Sequence, residues 1–521
     1  MKFVSDPAID LKIRKMKQRV RWREPSIVER GIDQTRMIIN DGLEDSPEFS
    51  FLILGDSGAG PHQSHNPQRQ VTELMLQHYD SCRFVLHTGD VVYLVGSSEY
   101  YQQNFIEPYR EFLVGGEQPD RISYDQMVFN KPFLPVLGNH DYYDLPLVYG
   151  LLAQTTVPLR RLLRLKLNLN VGLHGSSQGN AYAKAFLDYL QAFEDTEALG
   201  RHLDEHYSAK TETGRCLSYQ PGKFTRLPNR YYSFSYGGID FFALDSSTFN
   251  EPLPLPKTKE GDAYRRELET RLKDLEQQRQ KILDASMQLN PENPDEAEML
   301  DDYRTKLEHL GEIKVDIDKQ LESKKTTVTD TEQLNWLKQR LIESWHTESV
   351  RGRVIYLHHP PYVTEATKWY QAQTLIIRDR LRQVLDAVSE AIGSTPQNRP
   401  IVNLILSGHA HCLEYLRTVD TGHADSDLNW IVCGGSGYSL RRQRNEGVEL
   451  TENQEGNQTR LVAKSLLYVG RNGQGSQKRR PYSALRIDVQ AGEPLKLKVQ
   501  PLITERFQRN WSQSEVEPFI I

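Results

Sequence analysis

The segment FSFLILGD, residues 49–56, is an apolar run of strand-forming side chains that ends abruptly at a glycine and an aspartate. Four later segments repeat this pattern, with apolar runs at 83–86, 133–137, 354–357 and 401–406, each followed by a polar tip. Near-continuous apolar runs are typical of strands buried on both faces, and open α/β sheets bind ligands beyond the carboxyl ends of such strands. The sequence therefore predicts an α/β fold in which five polar tips converge.

The five tips contain the side chains that proteins use to bind metal ions. They comprise two aspartates, a tyrosine, an asparagine and three or four histidines: Asp56, Asp90, Tyr93, Asn139, His358, His359, His409 and His411. A single Gly-Asp tip is only a common turn. Together, however, these oxygen and imidazole groups form the ligand list of a site for two metal ions. His409 and His411 are two residues apart on an extended segment, so both side chains point to the same side and one can serve each ion.

Asp90 and Tyr93 leave the same strand end three residues apart. A carboxylate can bridge two cations. A phenol becomes a good ligand only when a strongly Lewis-acidic ion, such as ferric iron, lowers its pKa. Tyr93 is therefore either a ligand of such an ion or a side chain that packs at the strand end beside zinc or manganese.

The order of the tips resembles that of the metallophosphoesterases of the calcineurin-like superfamily, and most closely that of the purple acid phosphatases. The matching segments are Asp56-Ser57-Gly58, Gly89-Asp90-Val91-Val92-Tyr93, Gly138-Asn139-His140-Asp141, Val354 to His358, and Gly408-His409-Ala410-His411. Other branches usually carry a histidine two residues after the first aspartate and lack the tyrosine. Here Gly58 occupies that position and Tyr93 is present. The resemblance covers roughly residues 48–145, 229–250 and 328–440.

This resemblance implies a metallophosphoesterase-type β-sandwich flanked by helices, which hydrolyses a phosphate ester with a water activated by two metal ions. The implied cofactors are Fe(III) and a divalent ion, namely Fe, Zn or Mn. The implied substrate is a phosphorylated small molecule or another phosphoester, and the implied enzyme is a phosphomonoesterase. The implied ligands are Asp56, Tyr93 and His411 for the first ion, Asn139, His358 and His409 for the second, and Asp90 as the bridge.

Two further assignments follow from the resemblance. His358 is preferred to His359 as the ligand, because the segment His358-His359-Pro360 resembles the His-x-Pro motif of the plant-type enzymes. His140 is the expected catalytic residue, which lies beside the phosphate as an acid or a charge stabiliser and is oriented by Asp141.

Outside the core, the sequence predicts an amino-terminal basic extension at 1–47, followed by a metallophosphoesterase domain at 48–521. Two helical insertions interrupt this domain, at about 147–228 and 260–326. The second has apolar residues spaced alternately three and four apart, with prolines between its halves, and this spacing predicts an antiparallel coiled-coil hairpin. Because such a pair has its own apolar seam, we expect it to be removable without opening the core. It offers a surface for a protein partner or for self-association.

The bulk composition limits the partners and the location. A net charge of -6 gives no overall attraction to nucleic acid, and uninterrupted apolar runs of membrane-spanning length are absent, so neither nucleic acid nor a membrane span is expected. Four scattered cysteines fit a reducing cytoplasm. Two other functions stay open: a phosphodiesterase or nuclease of the same superfamily, and a non-catalytic scaffold with the phosphoesterase fold. A scaffold would be expected to lose ligands, whereas all seven positions here carry a competent side chain.

Overall fold

The computed structural model describes the chain in nine stretches. They are residues 5–43, 46–59, 65–144, 175–290, 292–323, 328–393, 399–453, 458–474 and 477–521. The helices are α1 (Ile9–Arg19), α2 (Pro25–Val28), α3 (Pro67–Tyr79), α4 (Asn180–Phe186), α5 (Thr196–His206), α6 (Lys259–Ser286), α7 (Pro294–Glu322), α8 (Thr331–His346) and α9 (Ala372–Ile392). Among these described helices, none is both long enough and apolar enough to span a membrane.

The strands belong to two mixed sheets. In chain order they are β1 (Ile32–Ile39), β2 (Phe49–Leu54), β3 (Val85–His87), β4 (Phe133–Pro135), β5 (Ala209–Thr211), β6 (Gly214–Tyr219), β7 (Tyr232–Tyr236), β8 (Ile239–Ala243), β9 (Gly352–Tyr356), β10 (Leu404–Ser407), β11 (Leu413–Thr418), β12 (Asn429–Cys433), β13 (Glu449–Asn453), β14 (Thr459–Val469), β15 (Arg479–Gln490), β16 (Lys496–Phe507), β17 (Asn510–Ser514) and β18 (Phe519–Ile520).

The larger sheet has the order β13-β14-β11-β12-β10-β9-β8-β7-β1-β6-β5, and the smaller has the order β17-β16-β15-β2-β3-β4, with β18 beside β16. The five predicted strands are divided between the sheets. Strands β2, β3 and β4 are parallel neighbours in the smaller sheet, while β9 and β10 are parallel neighbours in the larger. The predicted α/β class, with large sheets flanked by helices, is confirmed.

The alternation of side chains along β9 shows how the layers pack. Val354 and Tyr356 face the core between the two sheets, whereas Ile355 and Leu357 belong to a second core, with residues of α8 and α9. Successive side chains of a strand point to opposite faces, so a strand covered on both sides must be apolar throughout. Each fully buried side chain of this size contributes about 1.5–3 kcal/mol of transfer free energy. This double burial explains why the apolar runs were readable in the sequence.

The segments assigned to the extension and to the first insertion also contribute to the larger sheet. Strand β1, from the predicted extension, pairs in parallel with both β6 and β7. Strands β5 and β6 come from the predicted helical insertion at 147–228, in which α4 and α5 are helical. Part of that insertion, residues 145–174, lies outside the described residues. The division into extension, core and insertions itself stays a prediction.

The predicted helical hairpin at 260–326 is present as α6 and α7. Leu268, Leu275, Leu310, Ile313 and Ile317 form its apolar seam. The two helices run antiparallel, because Lys314 pairs with Glu276 at 3.2 Å, whereas Arg265, nearer the start of α6, approaches the carbonyl of Leu321 near the end of α7. The supercoil of a coiled coil stays a prediction.

A buried ion network joins β8 to α8. Arg230 donates to Asp245 Oδ2 at 3.2 Å and also pairs with Asp330, and all three side chains are at most 3% exposed. We expect Arg230→Met to lower the free energy of unfolding by about 3–5 kcal/mol, because it leaves two buried carboxylates without their counter-charge. Urea denaturation measures this loss.

A matched control is Arg201→Met, since Arg201 pairs with Glu197 at the surface, with 66% of its side chain exposed. That change should alter the free energy of unfolding by less than about 1 kcal/mol. Equal losses in the two variants would contradict the role of the buried network.

Candidate metal centre

The eight predicted site residues lie together and are buried. Asp56, Asp90, Tyr93, Asn139, His140, His358, His409 and His411 each keep at most 3% of their surface exposed. The strands end in register, since Leu54 pairs with His87 and His87 with Pro135, so the tips that follow β2, β3 and β4 meet at one edge. The tips that follow β9 and β10 complete the cluster from the other sheet. The structure thus brings these residues together, while their roles as ligands stay a prediction.

One group of ligand atoms surrounds the phenol of Tyr93. Its Oη lies 2.7 Å from Asp90 Oδ2, 2.9 Å from Asp56 Oδ1 and 3.2 Å from His411 Nε2, and the last two atoms are 3.4 Å apart. A single phenolic proton satisfies only one of these acceptors. Neighbouring ligands of an octahedral ion, bound at about 2.1 Å, lie about 3 Å apart. The spacing of the four side chains therefore fits a shared cation.

A second group gathers around His358. Its Nε2 lies 2.9 Å from Asn139 Oδ1 and 3.2 Å from Asp90 Oδ2. Two overlapping sets of described residues could each hold a metal ion, namely Asp56, Asp90 and His358, and His358, His359 and His409. His359 therefore enters the cluster beside the predicted His358.

Backbone carbonyls fix the orientation of three histidine rings. His358 Nδ1 donates to Thr88 O at 2.9 Å, His411 Nδ1 to Ser439 O at 3.0 Å, and His140 Nδ1 to Leu94 O at 2.6 Å. An imidazole that donates from Nδ1 to a carbonyl presents the lone pair of Nε2, which is the common arrangement of metal-binding histidines. In His358 and His411 this Nε2 faces the carboxylates described above.

His359 has a different environment. Its Nδ1 lies 2.8 Å from Ser246 Oγ, and its Nε2 lies 3.4 Å from Asn250 Nδ2. Both ring nitrogens therefore have protein partners. His358 Nε2, by contrast, lies 3.2 Å from Asp90 Oδ2, and the choice of His358 as the ligand stays a prediction.

The tips hold their side chains through a strained backbone. Asp56, Asp90, His409 and His411 adopt φ values of 52°, 55°, 65° and 40°. Residues other than glycine rarely adopt this left-handed region, at a cost of order 1 kcal/mol or more each, and such strain is concentrated at functional sites. Four of the seven predicted ligands share it, which supports a functional role for the tips.

Gly58 explains the departure from the histidine-containing branches. A Cβ at this position would lie 1.9 Å from Val91 O, and the Tyr93 amide donates to Gly58 O at 2.8 Å. A side chain therefore has no room where those branches place a histidine.

The pKa values of the two buried aspartates in the second and third tips, Asp90 and Asp141, shift in opposite directions. Burial alone would raise the pKa of Asp90, but the nearby imidazoles of His358 and His140 have the larger opposite effect. The pKa therefore lies below its usual range. Burial and the charge of Asp90 raise the pKa of Asp141 to about 8. Burial and the two carboxylates Asp56 and Asp90 raise the pKa of Tyr93 well above its usual value. A bound cation would oppose this effect on the phenol.

The role predicted for Asp141 is different in the structure. Its carboxylate accepts hydrogen bonds from the backbone amides of Asp90, Val91 and Gly138, at 3.1, 3.1 and 2.9 Å. The Leu94 carbonyl, rather than Asp141, holds the imidazole of His140. Asp141 instead ties the second tip to the third.

Three charged residues at the site were missed by the sequence analysis. Lys368 Nζ lies 2.9 Å from His409 Nε2, and Glu312 of α7 accepts from Lys368 at 3.1 Å and from Arg441 at 3.5 Å. The ammonium group of Lys368 stands in for a cation at the lone pair of His409. None of these residues belongs to a recognisable motif, so only the folded chain reveals them.

Some of the predicted ligands are spaced for a metal ion more clearly than others. Asp56, Asp90, Tyr93 and His411 are spaced as ligands of one ion. Around His358 and Asn139 the spacing also fits, and the Asn139 Nδ2 atom is buried without a hydrogen-bond partner in the described part of the chain. The Nε2 atom of His409 faces Lys368, while His409 also belongs to a possible metal-binding set with His358 and His359.

The sequence matches no protein-family model and no curated protein. It is similar to solved structures of a purple acid phosphatase from yellow lupin (Lupinus luteus) seeds, with 12% identity, a TM-score of 0.41, and 92% of this chain and 54% of that chain covered. It is also similar to the structure of PhoD, with 11% identity, a TM-score of 0.39, and 92% of this chain and 70% of that chain covered. A dimetal phosphatase from Danio rerio has 13% identity and a TM-score of 0.30, with 81% of this chain and 98% of that chain covered. These are metallophosphoesterase-type folds, the type that the motifs predicted, and the similarity concerns the fold alone. The chain spans about half the length of the lupin structure.

Proposed function

We propose that this protein hydrolyses phosphate monoesters at a centre of two metal ions. The observation that carries the proposal is the convergence of Asp56, Asp90, Tyr93 and His411. Tyr93 Oη lies 2.7–3.2 Å from the ligand atoms of the other three, and His411 Nε2 lies 3.4 Å from Asp56 Oδ1, a spacing that suits a shared cation. The carbonyl-anchored ring of His358 beside Asn139 supports a second ion next to it.

In this proposal, Asp56, Tyr93 and His411 hold one ion, Asn139, His358 and His409 hold the other, and Asp90 contributes to both. Two such ions, when bound, supply the Lewis acidity that activates a water molecule and neutralises phosphoryl charge. Asp90 is suited to the shared position, because its Oδ2 faces both Tyr93 and His358 while its Oδ1 accepts from the His140 amide at 2.8 Å.

His140 is the proposed catalytic acid. Its Nδ1 donates to the Leu94 carbonyl, so Nε2 is the atom that can hold a proton against a phosphoryl or leaving oxygen. Its ring packs 4.3 Å from the ring of Tyr93, measured between centroids, which places it at the edge of the cluster.

For the metals we propose Fe(III) with a divalent Fe, Zn or Mn ion, because Tyr93 offers a phenol between two carboxylates. The ring of Tyr438 stacks on that of Tyr93 at 3.8 Å and fixes its plane. A broad visible absorption band that disappears in Tyr93→Phe identifies ferric phenolate coordination. A colourless protein with bound zinc or manganese would contradict the iron assignment and leave the two-metal proposal in place.

The test of function compares an aryl phosphate monoester with the corresponding bis-aryl diester. We expect chelation to reduce hydrolysis of the monoester to the uncatalysed level, and reloading with a transition metal to restore it, because none of the tips supplies another nucleophile. Steady-state rates and metal analysis of the same samples measure this. Faster turnover of the diester would favour the phosphodiesterase or nuclease alternative.

One observation favours a non-catalytic scaffold as the second candidate. The predicted ligands are buried, and the ammonium group of Lys368 lies 2.9 Å from His409 Nε2, where a metal ion could otherwise bind. A protein that binds no metal when it is supplied with Fe, Zn or Mn would support this candidate. Full activity in metal-free protein would contradict both the scaffold candidate and the two-metal centre.

The remaining features of the setting are also proposals. Exposed apolar side chains on the hairpin, Tyr264, Met287 and Met299, support a protein partner or self-association through residues 260–326. The four cysteines are buried and unpaired, which supports a reducing compartment such as the cytoplasm. A phosphorylated small molecule is the proposed substrate class.

A further inference from the structure

Helix α7 lies directly over the proposed metal centre. Glu312 contacts Lys368, which in turn donates to His409, and Asp316 accepts from the backbone amides of Ala372 and Gln373 at 3.2 Å. The hairpin therefore contacts the site, which its apolar seam did not indicate, and whether it can be removed stays a prediction. Its apolar seam is only one of its two contact surfaces.

An acidic face of α7 continues away from the site along a row of cations. Asp302 pairs with Arg471 at 3.3 Å, with Arg480 at 3.1 Å and with Lys478. Glu298 pairs with Arg480 at 2.7 Å and with Arg506 at 3.2 Å. We call these cations, together with the two near the metal centre, the cationic strip: Lys368, Arg441, Arg471, Lys478, Arg480 and Arg506.

The cations of the strip are crowded. Burial and the neighbouring guanidinium groups of Arg480, Arg442 and Arg441 lower the pKa of Arg471 to about 10. Arg441 and Arg506 are at most 7% exposed. Crowded and buried cations need anionic partners, because a buried charge without a counter-charge costs several kcal/mol. The carboxylates of α7 supply these partners in the closed structure.

Access of a substrate to the metal centre and neutralisation of the cationic strip are therefore linked, because both depend on the position of α7. The described residues of the metal centre are buried, and Glu312 of α7 lies against Lys368 and Arg441 beside them, so a movement of α7 would uncover this side of the site. That movement removes Glu312, Asp302 and Glu298 from the strip. A ligand that stabilises the open state has to replace their negative charge, and phosphate groups do so well because they accept strong charge-assisted hydrogen bonds from arginine.

We propose that the cationic strip is a binding site for additional phosphate groups of an oligophosphorylated small-molecule substrate, and that the carboxylates of α7 occupy it in the absence of that substrate. The substrate class rests on the proposed phosphoesterase function, whereas the strip itself binds anions whether or not hydrolysis occurs. The phosphate nearest the metal centre replaces Glu312 at Lys368 and Arg441. The next ones replace Asp302 and Glu298 at Arg471, Lys478, Arg480 and Arg506.

Calorimetric binding of inorganic tripolyphosphate and of inorganic phosphate to the full-length protein tests the proposal without any assay of activity. We expect tripolyphosphate to bind at least about tenfold more tightly, because it contacts more cations, and one charge-assisted contact is worth about 1.5–3 kcal/mol. Arg471→Gln with Arg480→Gln should remove this preference while inorganic phosphate binds as before.

The double variant Glu298→Gln with Asp302→Asn should have the opposite effect. Removal of the intramolecular competitor raises the open fraction, so we expect tripolyphosphate to bind about tenfold more tightly than to the unmodified protein. The matched control is Glu269→Gln with Asp274→Asn, which removes the same charge from exposed positions of α6 and should leave the affinity unchanged. Glu312→Gln is the second variant, in case the double variant fails to fold.

Equal affinities for the two anions, or an affinity that rises as much in the α6 control as in the α7 variants, would overturn the proposal. Tripolyphosphate binding that follows these variants in a protein without hydrolytic activity would keep the strip and refute the proposed function. Monoester hydrolysis with no preference for tripolyphosphate would do the reverse.

Discussion

Asp90→Asn lowers the hydrolysis of a phosphate monoester by about a hundredfold to a thousandfold, since loss of several kcal/mol of electrostatic stabilisation corresponds to this range. Asparagine keeps the shape of the side chain and the hydrogen bond that Oδ1 accepts from the His140 amide at 2.8 Å. It removes the negative charge between Tyr93 and His358, whose ligand atoms lie 2.7 and 3.2 Å from Oδ2. Steady-state rates and metal content per folded protein measure the effect.

The control for this charge change is Asp427→Asn, whose carboxylate is 76% exposed and pairs with Arg417 at 3.7 Å. It should leave both the rate and the metal content unchanged. If Asp90→Asn retains two metal ions and most of its activity, Asp90 does not bridge them.

His358→Gln removes one metal ion, whereas His359→Gln retains it. The Nδ1 of His358 is fixed by Thr88 O, so its Nε2 presents a lone pair towards Asn139 and Asp90. Both ring nitrogens of His359 face protein side chains. We expect His358→Gln to weaken binding of that ion by at least about a hundredfold. This loss is larger than the loss typical of a residue that only orients a metal ligand through a hydrogen bond.

Metal titration of the two purified variants measures this difference, and their unfolding curves show that both are folded. His359→Gln serves as the matched control, because both side chains are fully buried. The assignment fails if His359→Gln is the variant that loses the ion, and the set of His358, His359 and His409 then describes the second position better.

The strands that could be predicted from the sequence are those buried on both faces, because burial gives each of them the same apolar pattern. Strands β2, β3, β4, β9 and β10 are covered on both faces, so they appear as uninterrupted apolar runs, and their polar tips mark the edge where they end. Strand β1 contains strand-forming residues, but it has a mixed burial pattern and lacks the uninterrupted apolar run of the five core strands, so its place in a sheet could not be predicted. Its place is decided by pairing with β6 and β7, which come from distant parts of the chain.

The same distinction applies to the site. Residues that follow strands, such as Asp56 and His411, could be predicted because the strand end fixes where they lie. Lys368 and Glu312 could not, because Lys368 lies in a loop and the position of Glu312 depends on how α7 docks. The periodicity of the hairpin indicates that its helices pair, but periodicity carries no information about the polar face that contacts the metal centre.

The contact between Gly58 and Val91 limits how this chain can evolve. A side chain at position 58 would displace the backbone at Val91, which is the neighbour of Asp90 in the chain. A histidine there would therefore shift the shared carboxylate at the same time as it added a ligand. A site with a histidine at position 58 would therefore need a different backbone path at both Gly58 and Val91. In the proposed site, the main chain thus leaves room for the phenol of Tyr93 and none for a side chain at position 58.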